Sequence, residues 1–162
     1  TSGQIAAQNE SALAFAAKMK TERGIDLQKI PGTGAAGGLG GAIALLGGKI
    51  VPGFPKIAEI LGIESAIADA DLVLTGEGRM DFQTANGKVP AGMARLAEKH
   101  GVPTIALCGA LADDLGEMDK LLLASFSIQR SALPLEEAME KTRTLENMRR
   151  LSRNVVRVFP QK

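Results

Sequence analysis

The sequence predicts an α/β fold, a mostly parallel sheet flanked by helices in three layers. Apolar runs of strand length occur at 71–75, 103–108 and 121–128. They are continuous rather than alternating, the pattern of parallel strands buried on both faces. Segments of helical periodicity separate them, as in alternating β and α units. The 162 residues suit one domain on the usual scale of about 100–200 residues.

The elements follow in order. Ser2 to Arg23 reads as a helix, with Ser2 as N-cap, Ile5, Ala12, Ala16 and Met19 at helical spacing, and Gly24 as the stop. Ile25 to Ile30 reads as a short strand or extended link. A glycine loop from Pro31 to Gly41 leads into a small-residue helix, Ala42 to Leu46. Lys49 to Val51 reads as a short strand closed by Pro52-Gly53. Pro55 to Leu61 is helical with Gly62 after its end, and Glu64 to Ala68 is a further helical piece. Strand 71–75 is followed by a polar loop, Gly76 to Lys88. Val89 to His100 is a helix stopped by Gly101. Leu135 to Phe159 is helical, with a break expected near Thr142 to Thr144. No linker of low complexity divides the chain.

Composition narrows the function. Lys and Arg total 19 against 18 Asp and Glu, a net charge of +1, which argues against a broad nucleic-acid surface. With no Trp, no Tyr and five Phe, base-stacking platforms are scarce. The single cysteine, Cys108, cannot form an internal disulfide, so a reducing, cytoplasmic setting is expected. Ile30 to Gly48 is uncharged, but its eight glycines make it too weakly apolar for a membrane span. Thr1-Ser-Gly-Gln-Ile lacks the basic and apolar regions of a leader. The absence of an initiating Met is read as the mark of a processed or truncated product.

Gly32-Thr-Gly34-Ala-Ala-Gly37 has G-x-G-x-x-G spacing, which is weak without a strong preceding strand. A standard P-loop is excluded, since Ile50 follows Lys49 and Val89 follows Lys88 where Ser or Thr is needed. Consecutive glycines entering a helix leave backbone N–H groups open to an anion. They equally suit a tight turn and close packing, and both readings stand.

The second constellation is Thr75-Gly-Glu77-Gly-Arg79-Met-Asp81-Phe-Gln83-Thr84-Ala-Asn86-Gly87-Lys88. It follows an apolar strand, where open α/β sheets bind ligands. Its carboxylates suit Mg²⁺ or a hydroxyl proton, and its cations suit a phosphoryl group. Asp81 lies between Met80 and Phe82, so a partly apolar setting is expected. Glu77 lies between Gly76 and Gly78, so an open one is expected. Other residues look structural. His100 ends a helix, where the dipole favours a cation, and with no second His a His-based metal site is excluded. Cys108 reads as a small core residue. Asp113 and Asp114 read as capping or site-facing. Arg149, Arg150, Arg153 and Arg157 read as a solvated helix face.

Three segments together carry a resemblance: Pro31 to Gly40, Ala68 to Arg79, and Asp81-Phe-Gln-Thr-x-x-Gly-Lys88, with His100-Gly-Val-Pro103 in support. From about Gly24 to Phe159 the chain resembles the bacterial glycerate kinase family of the glycerate 2-kinase type. Members are typically more than twice as long, so residues 1–162 are expected to be the C-terminal portion of a larger two-domain enzyme. The resemblance implies ATP and Mg²⁺ as cofactors, glycerate as acceptor and 2-phosphoglycerate as product. It also implies a small-molecule site with no nucleic acid and no membrane, and leaves self-association open. On this reading Asp81 is a base or Mg²⁺ ligand and Glu77 a second Mg²⁺ contact. Arg79 and Lys88 stabilise phosphoryl charge, and Gln83 and Thr84 orient the acceptor. The loop with Gly34, Gly37 and Gly38 meets phosphate or carboxylate. Two alternatives remain: an NAD(P)-binding oxidoreductase domain using Gly32, Gly34 and Gly37, and a non-catalytic binding domain. Against the first counts that Glu59, at about the distance of the acidic residue such a fold needs at a strand end, falls in an expected helix.

Overall fold

The computed structural model describes residues 1–159. The chain divides into two compact units, Thr1–Gly53 and Phe54–Lys162. The boundary falls after Pro52-Gly53, a composition typical of such junctions; these residues do not close a strand.

In the first unit, α1 (Ser2–Arg23) starts at Ser2 itself, so its cap is Thr1 rather than the expected Ser2. The terminal ammonium of Thr1 donates to Gln4 Oε1 at 2.7 Å. Gly24 ends α1 in the left-handed conformation, φ 68°, with its N–H on Lys20 O, as the glycine stop requires. Lys20 pairs with Asp26 at 2.8 Å. That hydrogen bond holds the Asp26 carboxyl below its ordinary range. The expected extended link is instead a 3₁₀ turn, Leu27–Lys29, that buries Leu27. The Thr33 hydroxyl donates to Leu27 O at 2.8 Å and closes the turn locally, which removes the backbone from strand geometry. α2 (Ala35–Leu45) contains a left-handed interruption at Ala36, Gly37 and Gly38, so helix resumes earlier than expected. Lys49 to Val51 is not a strand: among the described residues it has no strand to pair with.

All of α3 (Gly53–Leu61) but its first residue lies in the second unit, followed by α4 (Ile63–Ala68). Then come β1 (Val73–Thr75), β2 (Arg79–Met80), a 3₁₀ turn (Phe82–Ala85) and α5 (Val89–Lys99). β3 (Thr104–Cys108), β4 (Ala110–Leu111), α6 (Met118–Leu121) and β5 (Ala124–Ser127) follow. α7 (Leu135–Ala138) and α8 (Lys141–Val158) complete it. Strands β1, β3 and β5 form a parallel sheet in the order β1-β3-β5, with Val73 opposite Thr104 and Ile105 opposite Ala124.

The three layers arise from the alternation along β3, whose successive side chains point to opposite faces. Ala106 and Cys108 pack with Met80, Ala91 and Ala94, on the side of α5 and α6. Ile105 and Leu107 pack with Ile128 and Val155, on the side of α8. Both faces are therefore buried, which explains the unbroken apolar run. Burying a side chain such as Ile105 or Leu107 stabilises by about 1.5–3 kcal/mol. A smaller cluster of Ile67, Val73, Ala97 and Val102 joins α4 to α5.

Two expected elements shift. The run 121–128 begins as the end of α6 and becomes strand only at Ala124. The C-terminal helix breaks at Met139-Glu140 rather than near Thr142, because Glu140 is an N-cap. Its carboxylate accepts from Thr142 N at 2.9 Å and Arg143 N at 2.7 Å. Among the described residues no helix is long and apolar enough to cross a membrane.

Candidate active site

β1 ends at Thr75, and the chain does not simply turn away. It stays beside the strand that follows β3, so that Glu77 O accepts from Gly109 N at 3.0 Å and Gly78 O accepts from Ala110 N at 2.9 Å. β2 and β4 continue this as a two-residue parallel ladder, Arg79 opposite Ala110 and Met80 opposite Leu111. The approach is close enough to demand glycine. A Cβ on Gly76 would run into the Leu107 carbonyl oxygen, and one on Gly109 would lie 2.5 Å from Gly78 O. Glu77 is thus held by backbone at the carboxyl ends of the parallel strands, the usual ligand edge of such sheets.

The segment expected to be plain loop then folds into a polar cluster. Asp81 caps the 3₁₀ turn, its Oδ1 accepting from Gln83 N at 3.0 Å. This turn aims Thr84 inward, where it is fully buried. The Thr84 hydroxyl donates to Glu77 Oε1 at 2.5 Å and accepts from Asp81 N at 3.2 Å. Lys88, at the start of α5, places Nζ 3.5 Å from Glu77 Oε2 and 3.8 Å from Asp81 Oδ1. One ammonium therefore serves both carboxylates.

Of the predicted site residues, Glu77, Asp81, Thr84 and Lys88 form this one network. Gln83 joins through its backbone while its side chain is exposed. Arg79 is exposed beside the cluster in sequence, with no ion pair among the described residues. Thr84 has its hydroxyl committed within the loop, so it positions Glu77 and Asp81 rather than presenting itself to an acceptor. The expected contrast between the carboxylates is reversed. Glu77 is the more enclosed, 18% exposed against 27% for Asp81. Gly76 is needed for strand approach, and Phe82 is turned to solvent.

Gly34, Gly37 and Gly38 lie in the first unit. A Cβ on any of them would meet nothing within 4 Å, so their faces are open. Gly37 and Gly38 have positive φ, and so does Ala36 at 52°, a conformation that costs a non-glycine residue about 1–2 kcal/mol. Gly32 and Gly40 serve packing instead: a Cβ on Gly32 would lie 2.6 Å from Ile50 Cγ2, and one on Gly40 would strike Gly32 O. Nothing in the composition marked Ala36; the structural roles of Gly76 and Gly109 had a signal in their places just after two apolar runs.

Two carboxylates facing one cation position suit Mg²⁺, which is commonly held by one or two carboxylates plus substrate phosphates. Among the described residues, no set of three or more His, Cys, Asp or Glu side chains converges on a metal position. The dinucleotide alternative needs a strand before Gly32 and an acidic residue at a strand end, and finds neither. A 3₁₀ turn rather than a strand precedes Gly32, and Glu59 lies in α3, paired with Lys56 at 2.9 Å. Cys108 is buried, and burial pushes its thiol pKa up. His100 ends α5 with Nε2 3.0 Å from Glu64 Oε1. Asp114 accepts from Gly116 N at 2.8 Å in a local turn rather than capping a helix.

Residues 1–160 match the model of the glycerate kinase family. A glycerate kinase of Halalkalibacterium halodurans is 38% identical over 96% of this chain and 41% of its own length. The glycerate 2-kinase of Escherichia coli K12 is 39% identical over 87% of the chain and 37% of its own length. A crystal structure of a protein assigned as glycerate kinase 2 from Salmonella typhimurium LT2 superposes with a TM-score of 0.65 at 38% identity, covering 88% of this chain and 36% of that one. The chain spans about two fifths of the length of the curated relatives it matches. On the extent of these matches, the chain belongs to the glycerate kinase family.

Proposed function

We propose that this chain is the C-terminal portion of a cytoplasmic, ATP-dependent kinase that phosphorylates glycerate to 2-phosphoglycerate. The observation that carries the reading is Lys88 poised between Glu77 and Asp81 at the carboxyl edge of the parallel sheet. A relative named glycerate 2-kinase supports the position of transfer.

Phosphoryl transfer asks a protein mainly to position its reactants and to stabilise charge. Asp81, the more exposed carboxylate, accepts the proton of the acceptor hydroxyl. Glu77, oriented by Thr84, is the firmer of two oxygen donors for Mg²⁺, which when bound neutralises charge on the phosphates. Lys88 holds the two carboxylates at fixed separation and offers its ammonium to the transferring group. Arg79 adds a second cation, and Gln83 a side-chain amide for the acceptor. The open faces of Gly34, Gly37 and Gly38 receive a phosphate or the glycerate carboxylate.

A coupled assay of ATP turnover with glycerate tests the reading. The protein containing this chain at full length should turn over at about 1–100 s⁻¹. Lys88→Ala should lower that on the order of 10²-fold or more, as for loss of one preorganised charge donor. The 162-residue chain alone should show little turnover, because part of the positioning shell is missing. An unchanged rate in Lys88→Ala would return Lys88 to a surface pair.

A further inference from the structure

α8 carries a concentration of charge that the carboxylate network does not use. Arg149, Arg150, Arg153 and Arg157, with Glu146 and Asn154, lie together on one exposed face of α8. The opposite side of α8 is the apolar one, with Val155 buried and Met148 and Leu151 packed against the sheet. The arginines are therefore set on the outer side by the same periodicity that builds the core.

Their spacing concentrates charge. Arg149, Arg153 and Arg157 recur every four residues, about 6 Å apart along the axis, and Arg150 adds a neighbour one turn before Arg153 and Asn154. Like charges at this spacing destabilise a helix. Glu146 is the one acidic residue of this face, and among the described residues none of these four guanidinium groups forms an ion pair. Four positive charges against one negative, on one exposed face of a single helix, make a surface that attracts anions. Guanidinium forks match the paired oxygens of phosphate groups. The net charge of the whole chain is only +1, so this is a local feature rather than part of an extended polyanion-binding field.

We propose that the outer face of α8 is a binding site for a small anion carrying more than one phosphate group, separate from the Glu77–Lys88 network. The inference does not depend on the kinase reading. Calorimetric titration of the 162-residue chain with sodium tripolyphosphate, without Mg²⁺ and at fixed ionic strength, tests it. Saturable binding at one site per chain is expected, weakened at least tenfold in Arg153→Gln/Arg157→Gln. Both residues are exposed, so circular dichroism of that variant should match the parent. Lys18→Gln/Lys56→Gln, which removes the same charge elsewhere, should leave binding unchanged. No saturable binding, or an equal loss in the Lys18/Lys56 variant, overturns the proposal. Loss in Lys88→Gln with none in the arginine variant also overturns it, and would place the anion in the kinase site.

Discussion

The hydroxyl of Thr84 donates to Glu77 Oε1 at 2.5 Å from a position with no solvent exposure. The Thr84 hydroxyl oxygen in turn accepts from the N–H of Asp81. One buried hydroxyl therefore ties the Glu77 carboxylate to the backbone of Asp81. Thr84→Val keeps the shape and removes both hydrogen bonds, leaving a carboxylate oxygen and an N–H short of a partner. The expected cost is about 1–3 kcal/mol, the usual penalty for an unsatisfied buried group. Urea denaturation of Thr84→Val and Thr84→Ser checks it. Serine keeps the hydroxyl and should recover much of the loss; equal losses would assign the effect to packing.

Gly76 and Gly78 flank Glu77 symmetrically in sequence but not in space. A side chain on Gly76 meets the backbone carbonyl of Leu107, whereas one on Gly78 meets nothing within 4 Å. Gly76→Ala should destabilise by about 1–3 kcal/mol or more, as overpacking does. Gly78→Ala should stay within about 0.5 kcal/mol, as at an unconstrained surface site. Thermal or urea unfolding of the two variants reads the contrast directly.

Asp81→Asn and Glu77→Gln separate the two proposed roles. Asp81→Asn should reduce turnover of the full-length enzyme with nearly unchanged nucleotide affinity, because a base is lost. Glu77→Gln should raise the Mg²⁺ concentration for half-maximal rate, while its amide oxygen still accepts from Thr84. A Mg²⁺ titration of turnover for each variant decides. A shift in Asp81→Asn alone would exchange the roles, and no effect in either would make the cluster structural.

Glu140 supplies a pH dependence. Hydrogen bonds from the N–H groups of Arg143 and Thr142 hold its carboxyl below the ordinary 4.5. The folded state thus favours the ionised form. The resulting stability is fully present above the unfolded value near 4.5 and is lost as pH falls through the lower folded value. Glu140→Gln should flatten that part of the stability–pH curve. Denaturation midpoints measured from neutral pH down to acid, for both proteins, provide the comparison; parallel curves would remove Glu140 from the acid response.

Much of the fold was legible because its signals are local. α1 ends at Arg23 because Gly24 takes a left-handed conformation, and a glycine after a periodic segment announces that in the sequence. Strand β3 is unmistakable because both of its faces are buried, so each position from Thr104 to Cys108 is enclosed. The gathering of Glu77, Asp81 and Lys88 within a dozen residues after an apolar run was equally visible. The sequence by itself therefore determined the three strands of the main parallel sheet, the longer helices around them and the segment that carries the polar cluster. Tertiary structure alone decided how that segment is used. Lys49 to Val51 has strand-like residues but no strand to pair with, since a ladder depends on a neighbour rather than on propensity. Glu140 rather than a weak propensity near Thr142 sets the break before α8, through hydrogen bonds to N–H groups left open at a helix start. Thr84 looked like one more polar loop residue. The 3₁₀ turn and the pairing of Gly78 and Met80 with the strand beyond β3 turn it inward. Burial and approach between segments some thirty residues apart are not encoded at any single position, which is why the enclosure of Glu77 appears only when the chain is folded.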